Sequence, residues 1–116
     1  MAYRPTYFQA SEWWCKCGRC NVCDPLADGL LRRLDILRAA IGAPVIITSG
    51  WRCADHNRAT PGASPTSYHL HGRAADITAE NFVTLAGISE RLGKLEGFAW
   101  TELIINTEGK YIHVAV

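Results

Sequence analysis

Two histidines and one aspartate have the residue types and the spacing of a metal site. His69 lies in a loop-like segment, Asp76 follows seven residues later, and His113 lies three residues before Val116. Two imidazoles and one carboxylate are a common shell for catalytic zinc, with a fourth position open to water. Zinc lowers the pKa of that water to about 7 and polarises a scissile carbonyl. Spacing alone also allows a loop histidine, a turn-capping aspartate and a buried terminal histidine.

Two predicted strands and a loop must position these three residues. We predict a strand at 74–78, which carries Asp76, and a strand at 111–116. Side chains alternate between the two faces of a strand. In the last strand one face is therefore apolar, and His113 belongs to the other face. The imidazole is expected to point away from the core.

The remaining pattern indicates one α+β domain with a mainly antiparallel sheet packed with helices. A leucine-rich stripe between a capping signal at Asp24-Pro25 and a stop at Gly42 predicts a core helix over 24–41. The other predicted elements are strands at 45–49 and 100–105, a helical turn at 53–59, a loop at 60–72 and a helix at 81–92. We divide the chain into a cysteine-rich segment, 1–24, packed on a domain, 25–116, and expect Trp13 and Trp14 to anchor the segment in the core.

Several segments together resemble a known family. They are Ile47-Thr48-Ser49-Gly50-Trp51-Arg52, His56-Asn57, Gly62-Ala63-Ser64-Pro65-Thr66-Ser67-Tyr68-His69, Gly72-Arg73-Ala74-Ala75-Asp76-Ile77 and Ile112-His113-Val114. This set is similar to the zinc D-Ala-D-Ala carboxypeptidases, whose relatives include phage L-Ala-D-Glu endopeptidases, vancomycin-resistance dipeptidases and, in fold, the Hedgehog signalling domain. The resemblance covers about residues 25–116, and its Ser-x-His-x6-Asp element followed by a C-terminal His is its most specific part. It implies a Hedgehog/DD-peptidase-like fold.

The resemblance also implies roles for individual residues. His69, Asp76 and His113 would bind Zn²⁺. Arg52 would contact a substrate carboxylate or the developing oxyanion, which suits a guanidinium group; a structural salt bridge is the alternative. Ser67 would hydrogen-bond to the substrate or to a metal ligand. Two further histidines have simpler interpretations: His71 replaces His69 only if the register slips and otherwise lines the pocket or is solvated, and His56 is structural.

The general base is where the resemblance is weakest. Family members place a Glu or Asp three or about six residues before the last His, and this chain has Lys110 and Thr107 there. The nearest carboxylate is Glu108, in the predicted turn, and we take it as the catalytic base. Glu102, on the preceding strand, is the second candidate. Either glutamate could instead be a solvated surface group, with hydroxide on zinc acting unaided or with no cleavage at all.

Four of the five cysteines lie within nine residues, at Cys15, Cys17, Cys20 and Cys23, and the fifth is Cys53. In a chain with no visible signal peptide, such clustering favours metal binding or reduced thiols over disulfides. Our leading interpretation is a structural zinc ion that uses some of these cysteines, with Cys53 as a candidate ligand. Disulfides formed after export and free thiols are the alternatives. An iron–sulfur run shares the C-x2-C-x2-C spacing, but its distant fourth cysteine is not evident.

The composition and the N-terminal sequence limit the classes of partner and the cellular location that we expect. The formal net charge of +1 gives no reason to expect nucleic acid or a membrane surface as partner, and no apolar run reaches the roughly 20 residues of a membrane span. Met1 to Ala10 shows no hydrophobic signal core. We expect a monomer made in the cytoplasm that reaches the cell wall after release or in a phage particle. A signal removed from the chain is the alternative.

The leading functional hypothesis is hydrolysis of peptide bonds in peptidoglycan stem peptides, as a carboxypeptidase or as an endopeptidase of the endolysin type. The substrate is then a peptide that contains D-amino acids, as the resemblance implies. A non-catalytic zinc module that binds peptidoglycan or a partner protein is the alternative from another class. A cysteine-cluster metal or redox protein with an incidental His/Asp/His set is the third.

Overall fold

The computed structural model describes residues 3–17 and 26–116. Its helices are α1 (Asp28–Ile41), α2 (Ala54–Ala59) and α3 (Phe82–Gly93), and its strands are β1 (Ile46–Ser49), β2 (Ala74–Thr78), β3 (Glu102–Asn106) and β4 (Tyr111–Ala115). Short 3-10 helices occur at Ala10–Glu12 and Tyr68–His71. The predicted helices and strands are all present, with shifts at their ends.

The four strands form one antiparallel sheet in the order β1-β2-β4-β3. This arrangement confirms the predicted α+β class. β2 is central, and Ala74, Ala75 and Ile77 in it are fully buried. In the register of β2 and β4, Asp76 lies opposite His113. The sheet therefore brings together two residues that are 37 positions apart in the chain.

Helix α1 covers the sheet with the predicted leucine stripe, since Leu30, Leu34 and Leu37 have no exposed surface. It ends as predicted at Gly42, whose φ of 69° is the left-handed conformation that glycine adopts at little cost. Its start differs. Asp24 and Pro25 lie outside the described residues, but Leu26 and Ala27 precede the helix, which begins later than predicted.

The N-terminal segment, residues 3–17, packs on this core. Phe8 and Trp13 belong to the same buried cluster as α1 and the sheet. The predicted role of Trp14 as an anchor is wrong, because this side chain is 51% exposed. The buried carboxylate of Asp35 on α1 accepts hydrogen bonds from the Tyr3 hydroxyl, at 2.5 Å, and from the backbone N–H groups of Thr6 and Tyr7. The hydrogen bond to Asp35 raises the pKa of Tyr3.

A second attachment of this segment lies beside the end of β1. The backbone N–H of Trp51 donates to the carbonyl of Trp13 at 2.9 Å. Gly50 makes this approach possible, because a Cβ there would lie 2.5 Å from Cβ of Trp13 and 2.7 Å from its carbonyl oxygen. The chain before α2 is thus held against the N-terminal segment through backbone contacts.

We expect Gly50→Ala to lower the free energy of unfolding by about 2 kcal/mol, because the methyl group must displace the Trp13 backbone. Denaturant unfolding measures the change. The control is Gly87→Ala in α3, where nothing lies within 4 Å of the new methyl group. That change should be neutral or stabilising, since alanine favours a helix interior over glycine. Equal stability of the two variants would contradict the close contact at Gly50.

Candidate active site

Asp76, His69 and His113 meet at one carboxylate oxygen. Oδ1 of Asp76 lies 3.2 Å from Nε2 of His69 and 3.0 Å from Nδ1 of His113. One ligand atom from each of the three residues lies within 4.8 Å of the others. Asp76 and His113 are placed by the pairing of β2 with β4, and His69 by the 3-10 turn that precedes β2. The predicted ligand residues therefore converge.

Each histidine has an outer partner that fixes which ring nitrogen faces Asp76. Nδ1 of His69 lies 2.7 Å from the carbonyl oxygen of Gly50, and Nε2 of His113 lies 2.9 Å from Oε1 of Glu102. Both partners are acceptors, so these two nitrogens carry hydrogen and donate. In the neutral rings the other nitrogens then present lone pairs to Asp76. Metal-binding histidines show this arrangement, with an outer carbonyl or carboxylate holding the ring.

This donor set fits a metal cation. Two imidazole lone pairs directed at an anionic oxygen repel it unless a proton or a cation lies between them. Burial alone would raise the pKa of Asp76, but where a proton lies between its carboxylate and the rings, hydrogen bonds from His113 and His69 lower that pKa well below its usual range. Burial would lower the pKa of His113, and its hydrogen bonds with Asp76 and Glu102 outweigh this and raise it. The protein thus holds an ionised carboxylate between two imidazole nitrogens.

Arg52 anchors the second oxygen of this carboxylate. Its Nη2 lies 3.2 Å from Oδ2 of Asp76, and the side chain is buried. Nε donates to the hydroxyl of Ser49 at 3.1 Å, and Nη1 donates to the side-chain carbonyl of Asn57 at 3.3 Å. Three of the five guanidinium donors are thus engaged within the protein. The contact with Asp76 is a salt bridge, which was the alternative interpretation of Arg52. A contact between Arg52 and a substrate stays a prediction.

Ser67 caps the turn that carries His69. Its hydroxyl accepts a hydrogen bond from the backbone N–H of His69 at 3.2 Å. The turn ends at Gly72, whose φ is 67°. The carbonyl of His69 in turn accepts from the backbone N–H of Arg52 at 3.1 Å. Ser67 therefore positions His69 through the backbone of this turn, where the sequence indicated only a loop over 60–72. A hydrogen bond from Ser67 to substrate stays a prediction.

The two glutamates considered as base lie in different places. Glu108 is an exposed residue of the β3–β4 turn and does not line the cleft. His113 lies two residues after the start of β4, so the turn that carries Glu108 is on the order of 7 Å away from His113 along the strand. Glu102 shares a face with His113, because Ile104 pairs with His113 and Glu102 with Ala115. Of the acidic residues that the structure describes, only Asp76 and Glu102 line the cleft.

The cleft above this group is open and of a size that accepts a short peptide. Its volume is about 770 Å³, within the usual range for ligand sites. The loop of residues 60–68 forms one wall, and Ile104 and Tyr111 contribute the opposite one. Arg52 and the side chains of His69, Asp76 and His113, which we call the His69–Asp76–His113 group, form its floor.

The sequence matches a known protein family over most of its length. A family model described as Peptidase M15 matches residues 6–115. The chain belongs to the peptidase M15 family. The matched range includes most of the N-terminal segment and so extends beyond the 25–116 over which the motifs were recognised. None of the curated proteins matches the chain. Membership in this family supports peptidase activity and a peptide as substrate. No helix among residues 3–17 and 26–116 is long and apolar enough to cross a membrane.

Backbone groups were the part of the site that the sequence did not reveal. The Gly50 carbonyl holds His69, yet no side chain marks it. Asn57 was visible in the motif His56-Asn57, but its bond to Arg52 requires the fold of α2. His71 is exposed on the same turn as His69 and is not part of the convergent group.

We expect His69→Ala to abolish binding of a metal ion at this site, because a three-ligand shell loses one member. Metal analysis after dialysis measures the stoichiometry, and circular dichroism checks the fold. The matched control is His71→Ala, a histidine on the same 3-10 turn, which should retain the metal. Loss of metal in His71→Ala, but not in His69→Ala, would show that the ligand register is shifted by two residues.

Proposed function

We propose that this chain is a zinc-dependent peptidase that hydrolyses peptide bonds in the stem peptides of bacterial peptidoglycan. The observation that carries the proposal is the convergence of His69, Asp76 and His113 on the floor of an open cleft, in a chain of the peptidase M15 family. The proposal includes both carboxypeptidase and endopeptidase action on peptides with D-amino acids. It places the enzyme at the cell wall, after release or as part of a phage particle.

Zinc held by these three residues would supply Lewis-acid chemistry, by polarising a carbonyl and lowering the pKa of water. The protein itself supplies orientation. Gly50 and Glu102 fix the two imidazoles, and Arg52 fixes the carboxylate. The two remaining N–H donors of Arg52 give it the capacity to stabilise negative charge on a substrate oxygen. Positions set in advance in this way lower the cost of reorganisation during the reaction.

We assign the proton acceptor to Glu102 in preference to Glu108. A general base must lie within hydrogen-bond range of the attacking water or one water away. Glu102 reaches the site, since its Oε1 contacts His113 at 2.9 Å, and its side chain is 42% exposed toward the cleft. One carboxylate oxygen can hold the imidazole while the other accepts a proton. Glu108, in the turn, has no such placement.

Digestion of purified peptidoglycan tests the proposed function. We expect the protein to release peptide fragments that mass spectrometry identifies, to lose this activity with a chelator and to regain it with Zn²⁺. Release of a terminal D-Ala indicates a carboxypeptidase, and a new amino terminus within the stem indicates an endopeptidase. His69→Ala is the inactive control. Binding to peptidoglycan without any cleavage by the zinc-loaded wild type would favour the non-catalytic binding module instead.

Glu102→Gln should lower kcat at least about a hundredfold, the lower end of general acid–base contributions, while zinc and fold are retained. The glutamine carbonyl can still accept the hydrogen of His113 Nε2, so the variant removes the base and keeps the imidazole in place. Steady-state kinetics on a soluble muropeptide, with zinc content measured in parallel, gives the result.

Glu108→Gln is the matched control and should retain most activity, because this side chain is exposed in the turn. Glu102→Ala should in addition bind zinc about 10- to 100-fold more weakly, since it removes the outer partner of a ligand histidine. A large loss of kcat in Glu108→Gln, with full activity in Glu102→Gln, would restore the hypothesis drawn from the sequence.

A further inference from the structure

A second group of potential metal ligands lies at the start of α2. The sulfur atoms of Cys15, Cys17 and Cys53 all lie within 4.8 Å of one another. Cys15 and Cys17 follow Trp13 in the N-terminal segment, and Cys53 immediately follows Arg52. Residues 38 and 36 positions apart thus bring their thiols together. Cys20 and Cys23, the other two cysteines of the sequence, lie outside the described residues.

The distance between two of these sulfur atoms fits a shared metal ion. Sγ of Cys17 and Sγ of Cys53 are 3.9 Å apart. Tetrahedral zinc with Zn–S bonds of about 2.3 Å separates its sulfur ligands by about 3.8 Å. A disulfide requires about 2.05 Å. The spacing matches the edge of a zinc–thiolate tetrahedron and is nearly twice the length of an S–S bond.

Burial raises the pKa of the Cys15 thiol, and backbone N–H donors beside the sulfur atoms oppose this effect. The N–H of Cys53 donates to Sγ of Cys15 at 3.4 Å, and the N–H of His56 donates to Sγ of Cys53 at 3.3 Å. Hydrogen bonds to a charged group favour its charged form. Several thiolates this close repel one another, however, and require a cation between them. A cation placed between the three sulfur atoms would therefore stabilise their thiolate form.

We propose that Cys15, Cys17 and Cys53 bind a structural zinc ion, separate from the His69–Asp76–His113 group. A structural site contributes directly to folding free energy, because the unfolded chain does not hold the ligands together. This ion joins the N-terminal segment to the start of α2. Its role is to fasten a segment of the fold, and the cluster is not a catalytic thiol site.

The position of this zinc links it to the cleft. Residues 50–53 run from the end of β1 to the start of α2, and Cys53 ends this stretch. Within it, the Gly50 carbonyl holds His69, and Arg52 holds Asp76. Trp51 is bonded to Trp13. A metal that clamps Cys53 to Cys15 and Cys17 therefore restrains the stretch that orients two of the three ligand residues of the cleft.

Metal content of a small set of variants tests this proposal. We expect the wild type, purified with a reductant, to hold two zinc ions per chain, and Cys53→Ser and His69→Ala to hold one each. Cys53→Ser is well suited, because Cys53 is the N-cap residue of α2 and serine is a good N-cap. Ala54→Ser, an exposed neighbouring position, is the control and should hold two. Cys17→Ser is the second variant should Cys53→Ser fold poorly, and should also hold one.

Cobalt replacement gives a readout that is independent of activity. Thiolate ligands give Co²⁺ a charge-transfer absorption in the near ultraviolet, which histidine and carboxylate ligands do not. The band should be present in the wild type and in His69→Ala, and absent in Cys53→Ser. Its presence in His69→Ala supports the cysteine site even if the protein cleaves no peptidoglycan.

Three results would overturn the proposal. The first is a single zinc ion in the wild type with no thiolate absorption in the cobalt form. The second is an intact mass lower by two hydrogens with a bond mapped between Cys17 and Cys53, which would show a disulfide. The third is two zinc ions retained in both Cys53→Ser and Cys17→Ser.

Discussion

The buried carboxylate of Asp76 determines how the rest of the site is built. Removing a carboxylate from water costs several kcal/mol unless partners compensate for the lost hydration. Both oxygens of Asp76 have such partners: Oδ1 faces His69 and His113, and Oδ2 is paired with Arg52. These partners come from a 3-10 turn, a neighbouring strand and the segment before α2. The need to satisfy one charge thus fixes three separate parts of the chain relative to β2.

The sheet supplies the rigidity for this arrangement. β2 is paired on both sides, and its irregular pairing with β1 between Ile47 and Ser49 sets Ser49 opposite Asp76. Bulges of this kind redirect side chains beside active sites. Here the shifted Ser49 accepts a hydrogen bond from Nε of Arg52 and so orients the guanidinium group toward Asp76. The geometry of the carboxylate depends on a backbone irregularity as well as on charge pairing.

Sequence patterns predicted the parts of this site that follow local rules. Alternation along β4 placed His113 on the face away from Ile112 and Val114, because the period of a strand is two residues. The choice between Glu108 and Glu102 could not be made this way. Glu108 is closer along the chain, but strand pairing puts Glu102 diagonally beside His113, within reach of a long side chain. The prediction for Trp14 was also wrong. Its neighbour Trp13 takes the buried position, and the side chain of Trp14 is exposed.

The N-terminal segment contacts residues 50–53, which in turn contact the side chains of the cleft. The sequence motif Ser49-Gly50-Trp51-Arg52 suggested a substrate-binding arginine, yet each of its residues also has a structural contact. Gly50 must lack a side chain so that Trp13 can approach, and the same residue provides the carbonyl that sets the tautomer of His69. A displacement of Trp13 would therefore move the hydrogen-bond acceptor of His69. Catalytic geometry tolerates errors of only about 0.5 Å. Asp35 attaches this segment at one end and the contact of Cys15 with the backbone of Cys53 attaches it at the other, so both contacts help to position the carbonyl of Gly50.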